Sequence, residues 1–211
     1  MPDASATVLV IDDDASLRAS VARLLRSVGL NVHAFATISD FLAADLPDGP
    51  ICLVLDVRFP GQSGLELQRE LAASGRQLPI IFMTGHGDIP MSVQAMKSGA
   101  IEFLTKPFRD QDLLDAIQLG LARDRARLEN DTVLAALREG FRSLSPRERE
   151  IVILVARGRL SKQIASEIGI AEATVKVHRS RAMRKMNVRS LPELGRMVAL
   201  LELMADKPQR P

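Results

Sequence analysis

Five side chains invite a chemical reading: Asp12, Asp13, Asp56, Thr84 and Lys106. Each stands at, or within two residues of, the end of a short apolar run. Three carboxylates brought to one point repel each other and partly protonate unless a cation sits among them. Magnesium suits such a point, because it takes oxygen ligands, accepts one or two carboxylates directly and keeps several waters. With a hydroxyl from Thr84 and an ammonium from Lys106, the set has what phosphoryl transfer to an aspartate needs: a carboxylate nucleophile, and groups that position and neutralise the phosphoryl oxygens. Taken singly, each residue also has a plain structural reading. Asp13 or Asp14 could cap a helix, where negative charge is favoured; Thr84 could be an ordinary strand residue and Lys106 a solvated charge. Their joint placement at successive run ends favours a site.

The elements that would converge these groups are legible as apolar periodicity. Ile51 to Leu55 is apolar without alternation, the habit of a parallel strand covered on both faces, and it delivers Asp56 to its end. Pro60, Gly61 and Gly64 then force a loop. Further strands are expected at residues 7–11, 32–35, 79–84 and 101–104. Helices are expected after each, with Leu17, Val21, Leu24, Leu25 and Val28 as the stripe of the first and Leu113, Leu114, Ile117 and Leu121 as that of the fifth. Five consecutive βα units imply an α/β domain with a doubly wound, five-stranded parallel sheet over residues 1–121 and right-handed crossovers. In such a sheet chemistry gathers at the carboxyl edge, where the ends of the first and third strands are neighbours.

The charge is divided. Residues 1–120 carry 9 Lys/Arg against 15 Asp/Glu, net −6, whereas residues 121–211 carry 19 against 11, net +8. An acidic half suits a cation or a protein partner, and a basic half suits nucleic acid or an acidic surface. The single cysteine, Cys52, excludes an internal disulfide and reads as a small core residue. No apolar run approaches the roughly 20 residues that span a bilayer, and no signal-peptide pattern opens the chain, so a cytoplasmic protein without a membrane partner is expected.

After Leu121 the sequence turns charged and helix-prone, a helical linker over 122–142. Ser145-Pro-Arg-Glu148 then has the form of a capping box with proline in the first turn, and Ser190-Leu-Pro-Glu193 repeats it. Helical patterns at 161–168 and 172–186, separated only by Gly169-Ile-Ala, complete a small all-α helix-turn-helix domain over 143–205, followed by a disordered tail at 206–211. Residues 171–190 hold six Lys/Arg and one Glu. With Val175, Ala182 and Met186 buried and His178 at the margin, this helix suits insertion in the major groove of double-stranded DNA. Lys176 and Val177 would then meet base edges, with Ser180 and Arg181 following, while Lys162, Thr174 and Arg179 would touch phosphates.

These motifs together resemble a known family. Val10-Ile-Asp-Asp-Asp14, Leu55-Asp-Val-Arg-Phe-Pro-Gly-Gln-Ser-Gly64, Thr84-Gly-His-Gly-Asp-Ile-Pro90 and Lys106-Pro-Phe108 resemble the receiver domain of two-component response regulators, FixJ branch, over residues 6 to about 125. Leu144-Ser-Pro-Arg-Glu, Lys162-Gln-Ile-Ala and Ala173-Thr-Val-Lys-Val-His-Arg179 resemble the LuxR-type DNA-binding domain of NarL/FixJ regulators, from 142 to about 203. The resemblance implies that Asp56 accepts a phosphoryl group from a sensor histidine kinase. It also implies Mg²⁺ held by Asp12, Asp13, Asp56 and the backbone carbonyl of Arg58, with Thr84 and Lys106 gripping the phosphoryl group and Thr84 and Phe103 acting as the switch. It further implies a homodimer on phosphorylation, promoter DNA as target, RNA polymerase as a further partner, and no turnover enzyme activity. Phe59 stands where Met or Leu is usual, and Ala171 where the family has a Ser or Thr cap.

Two other readings fit the same residues. The receiver could serve as a phosphate sink or interaction switch with no operator of its own. Alternatively, Asp12-Asp13-Asp14 could be the paired aspartates of a haloacid-dehalogenase-type phosphatase, but Ser16 replaces the Thr or Val expected there.

Overall fold

The computed structural model describes residues 6–85 and 89–205. The tail expected at 206–211 and the His86 to Asp88 part of one motif lie outside the described residues. Two compact units divide the chain at Glu129 and Asn130.

In the first unit the strands β1 (Thr7–Ile11), β2 (Asn31–Phe35), β3 (Ile51–Asp56), β6 (Ile80–Thr84) and β7 (Glu102–Thr105) form one parallel sheet in the order β2-β1-β3-β6-β7. Between β3 and β6 a two-stranded hairpin, β4 (Arg58–Phe59) with β5 (Gln62–Ser63), shapes the loop for which only glycine and proline gave a sign. The helices α1 (Ala15–Ser27), α2 (Ile38–Ala43), α3 (Gly64–Ala73), α4 (Ile89–Lys97) and the first part of α5 (Asp110–Arg142) cover it.

Alternation along the strands sorts the core into two layers. Leu9, Ile11, Leu53, Leu55 and Phe82 face one way, packing with Phe41, Leu67 and Ala95. Val8, Val10, Cys52, Val54, Ile81 and Met83 face the other, packing with Val21, Leu25, Leu113 and Ile117. Both faces are apolar, and for that reason β1, β3 and β6 read as unbroken apolar runs.

In the second unit α6 (Pro146–Ala156), α8 (Glu172–Lys185) and α9 (Leu191–Ala205) pack with the last turns of α5, and α7 (Ser161–Ile168) packs against α6 and α8. Ser145 caps α6, its hydroxyl accepting from Glu148 N–H while the Glu148 carboxylate accepts from Ser145 N–H. At α9, Ser190 accepts from Glu193 N–H, but the Glu193 carboxylate reaches back to Arg189 N–H, one residue earlier than a capping box requires. The stretch expected as a linker is helical throughout. Asp124 is buried within the first unit, and Leu137 belongs to the apolar core of the second beside Ala182 and Met186.

Candidate functional site

β1 and β3 are paired in register, Ile11 opposite Leu55, so the residues that end them emerge side by side. Asp12 is fully buried and Asp56 nearly so, while Asp13 is exposed at the mouth. One carboxylate oxygen from each of the three lies within 4.8 Å of the others. Lys106, just past β7, sends its ammonium between the two buried acids, 2.7 Å from Asp12 Oδ2 and 2.5 Å from Asp56 Oδ2. The remaining oxygens accept backbone N–H groups: Asp14 N–H to Asp12 Oδ1 at 2.8 Å, and Arg58 N–H to Asp56 Oδ1 at 3.0 Å.

This cluster is only partly neutralised. Burial holds the Asp12 carboxyl above its usual range, against the lowering effect of Lys106 and of the Asp14 N–H. Burial also pulls at the Lys106 ammonium, but its hydrogen bonds to Asp12 and Asp56 prevail and leave it raised. Three carboxylates facing one ammonium are a donor set suited to a hard divalent cation.

Asp14 takes a different part. Its carboxylate caps α1 by accepting from Ser16 N–H at 2.8 Å and Leu17 N–H at 3.1 Å, and these bonds lower its pKa. The helix cap left open between Asp13 and Asp14 therefore falls to Asp14, and Asp13 stays with the acidic cluster. Gly64 is required at close range: a Cβ there would collide with the backbone carbonyl oxygen of Asp56.

Thr84 is buried at the end of β6. Phe103, half-buried on the neighbouring β7, holds its ring tilted at 45° to that of Phe82, with the centroids 6.2 Å apart. Arg18 was not anticipated. It donates from Nη1 to the backbone carbonyl of Asp12 at 2.6 Å, bracing the loop that carries the acids. The signal was a cation four residues after the capping Asp14, which returns it to the same end of α1.

In the second unit α7 and α8 are joined by a turn in which Gly169 adopts a left-handed conformation, φ 67°. Val175, Ala182 and Met186 are buried, as the apolar stripe requires. Lys176, Val177, Ser180 and Arg181 are all exposed on α8, and Lys162 and Thr174 are exposed as well. Lys176 is paired within its own helix, Nζ to Glu172 Oε1 at 2.8 Å. Arg179 differs from the other expected DNA contacts: half-buried, it donates from Nη1 to Ser161 Oγ at 3.3 Å, tying α8 to the start of α7.

A parallel α/β domain with an acidic cluster and a lysine at its carboxyl edge, followed by a basic helix-turn-helix, defines a phosphorylation-dependent transcription factor. Residues 8–118 match the response regulator receiver domain family, and residues 142–198 match the bacterial regulatory proteins of the luxR family. The chain is 52% identical over 201 residues to nodulation protein W of Bradyrhizobium diazoefficiens, covering 95% of this chain and 88% of that protein. It is 44% identical over 200 residues to the transcriptional regulatory protein FixJ of Azorhizobium caulinodans, covering 95% and 94%. Among solved structures, the response regulator StyR superposes with a TM-score of 0.82 at 50% identity, over 93% of this chain and 99% of that one. The chain belongs to the NarL/FixJ family of response regulators. Among the described residues no helix is long and apolar enough to cross a membrane.

Proposed function

We propose that Asp56 is the phosphoacceptor, and that its phosphorylation by a sensor histidine kinase switches the chain into a DNA-binding homodimer. The observation that carries this is the placement of Asp56 beside Asp12, Asp13 and Lys106, with its Oδ2 on the Lys106 ammonium. An Asp56 oxygen attacks phosphorus, the O–P bond forms, and the N–P bond of the donor phosphohistidine breaks, its electron pair staying on the imidazole nitrogen. Lys106 then exchanges an Asp56 oxygen for a phosphoryl oxygen, and the Thr84 hydroxyl donates to another. Asp12, Asp13 and Asp56, with the backbone carbonyl of Arg58, would hold Mg²⁺, which supplies charge neutralisation for the transferred group.

The new group adds about 1.5 to 2 negative charges. Thr84 and Phe103 lie on adjacent strands, β6 and β7, whose register sets Phe82 opposite Phe103. A shift there reaches α4, where Ile89 is 79% exposed and Val93 and Met96 are also exposed, an unpartnered apolar face suited to a second copy. Two basic domains brought together would address half-sites about 34 Å apart. On DNA, Lys176, Val177, Ser180 and Arg181 would read base edges and Lys162 and Thr174 would hold phosphates. Arg179, engaged with Ser161, would serve phosphate through the same end of α7. RNA polymerase would follow as partner at the promoter.

Treating the purified chain with acetyl phosphate and Mg²⁺ tests this. Wild type should gain one phosphate and dimerise, and Asp56→Asn should do neither. Unchanged dimerisation of the variant would overturn the assignment.

A further inference from the structure

Among the described residues two buried carboxylates lie outside the phosphorylation pocket, Asp124 and Glu148. Asp124 serves its own unit: it accepts from Ile51 N–H at 2.9 Å and from Arg127 Nε at 2.8 Å, pinning α5 to the start of β3. Glu148 differs because its cation comes from the far end of α8. Glu148 Oε2 accepts from Lys185 Nζ at 2.6 Å as well as from Ser145 N–H at 2.9 Å, and Lys185 Nζ also donates to the Ser143 carbonyl at 3.2 Å. The adjacent Arg147 donates from Nη2 to the carbonyl of Ile168, the last residue of α7, at 2.7 Å. Two neighbouring side chains in the first turn of α6 therefore hold the C-terminal ends of both α7 and α8.

The apolar seating of α8 is narrow. Its fully buried residues, Val175 and Ala182, with Met186 just past its end, fall along one line, and half-buried Met183 packs beside them. Arg179, bonded to Ser161, restrains the middle of the helix against α7, and the Lys185 tie restrains the roll at the C-terminal end, off that line. Successive residues lie about 100° apart around a helix, so a small roll carries side chains such as Lys176 and Ser180 away from the base edges they face. The tie also occupies Lys185. A free ammonium in that position would meet phosphate, and each phosphate contact strengthens binding to any duplex regardless of sequence.

We infer that Glu148 is a positioning residue for DNA recognition: through Lys185 it sets the roll of α8 and withholds one cation from the DNA backbone. Both effects favour discrimination over affinity. The inference rests on the reading of α8 as the helix that enters the groove.

The test uses the full-length chain, an operator selected by the wild type from a random-sequence duplex pool, and a non-operator duplex of the same length, across a salt series. Glu148→Gln keeps an acceptor for Ser145 N–H, and with it the cap, but loses the negative charge that faces Lys185. Operator affinity should fall about tenfold, within the worth of one displaced base contact. Non-operator binding should strengthen, its log–log salt slope steepening by about 0.9. The pair Glu148→Gln with Lys185→Gln, which can restore a neutral hydrogen bond, should return the slope to the wild-type value and recover most of the operator affinity. If Glu148→Gln weakens both duplexes in proportion and only lowers the melting temperature, the pair is merely structural and the inference falls. Should that variant not fold, Lys185→Met, which leaves the cap intact, must lose operator affinity by the same factor, and an unchanged ratio would again overturn it. Lys176→Ala separates the two readings. If it leaves operator affinity intact, α8 is not the reading helix; if it loses affinity while Glu148→Gln keeps the wild-type ratio, only the role of Glu148 is wrong.

Discussion

Two lysines in this chain each join a carboxylate to a distant part of the sequence, and their surroundings differ in one decisive way. Lys106 lies between Asp12 and Asp56 with Asp13 close by, one cation for three acids. Lys185 meets a single acid, Glu148, and a backbone carbonyl. In the first cluster burial keeps Asp12 hard to ionise, whereas in the second the Lys185 hydrogen bond leads in lowering Glu148 to about 2. The same pairing chemistry therefore yields two behaviours. An under-neutralised cluster gains by taking up a cation or rearranging around a new group, and a fully matched one holds helices where they are.

The comparison is broken most sharply by removing each lysine in turn. Lys106→Met should slow phosphate incorporation at Asp56 about a hundredfold, the usual cost of removing one oriented electrostatic donor, whereas Lys185→Met should leave that rate at the wild-type value. Incorporation followed by mass spectrometry with acetyl phosphate and Mg²⁺ decides it. Equal rates in the two variants would erase the distinction.

Packing around the second cluster gives a smaller effect. Gly140, near the end of α5, lies against the C-terminal end of α8: a Cβ there would stand 3.0 Å from Met186 Cα and 3.1 Å from the Lys185 carbonyl oxygen. Both neighbours are backbone and cannot turn aside. Gly140→Ala gains about 1 kcal/mol of helix propensity but incurs overpacking of about 1 to 3 kcal/mol. The net should be a destabilisation of about 1 kcal/mol, read as a lower midpoint in urea by circular dichroism. A stabilised variant would mean that the two helices separate freely, and that Lys185 is not held in a fixed seat.

Acid should reveal the matched pair by its sign. Glu148 has its carboxyl pKa lowered to about 2 in the folded chain from the ordinary glutamate value of 4.5, so the unfolded chain takes up this proton first. Its stabilisation is complete above pH 4.5 and is lost as the pH falls toward 2. The stability difference between wild type and Glu148→Gln should therefore shrink progressively over that window and be constant from pH 5 to 7. A difference independent of pH would mean that the pair contributes through shape alone.

These pairings also mark what the sequence could and could not disclose. Asp12, Asp13, Asp56, Thr84 and Lys106 were legible because each follows an apolar run, and parallel strands bring their ends to a single edge. The Ser145 cap was legible because its partners lie three residues apart. Glu148 with Lys185, 37 residues apart, left no periodic trace, and nor did Arg147 with Ile168. Residues 122–142 read as a linker because charge outweighs any apolar stripe there. Yet Asp124 is buried by a hydrogen bond to Ile51 N–H, 73 residues away, and Leu137 by a core whose other members are still to come in the chain. Local pattern reveals where a side chain faces when the burying surface is an element's own stripe, and is silent when one polar atom does the anchoring.

The gentlest probe concerns the start of α8. Ala171 is its N-cap and offers no side-chain acceptor, so the first turn relies on backbone bonds alone, with Thr174 N–H and Val175 N–H both directed at the Ala171 carbonyl at 2.9 and 3.2 Å. The N-cap backbone is already extended, φ −67° and ψ 143°, the conformation from which a serine hydroxyl reaches the N–H groups two and three residues on. Ala171→Ser should therefore stabilise the second unit by about 1 kcal/mol, which for a unit of this size raises its melting temperature by roughly 4 to 8 °C. The gain falls at the opposite end of α8 from the Glu148–Lys185 tie, and sites that far apart without shared partners add. Combined with Lys185→Met, the serine should restore melting temperature without restoring discrimination between operator and non-operator DNA. Recovery of discrimination along with stability would mean that α8 reads DNA correctly whenever it is merely folded, and that no tie to α6 is needed to aim it.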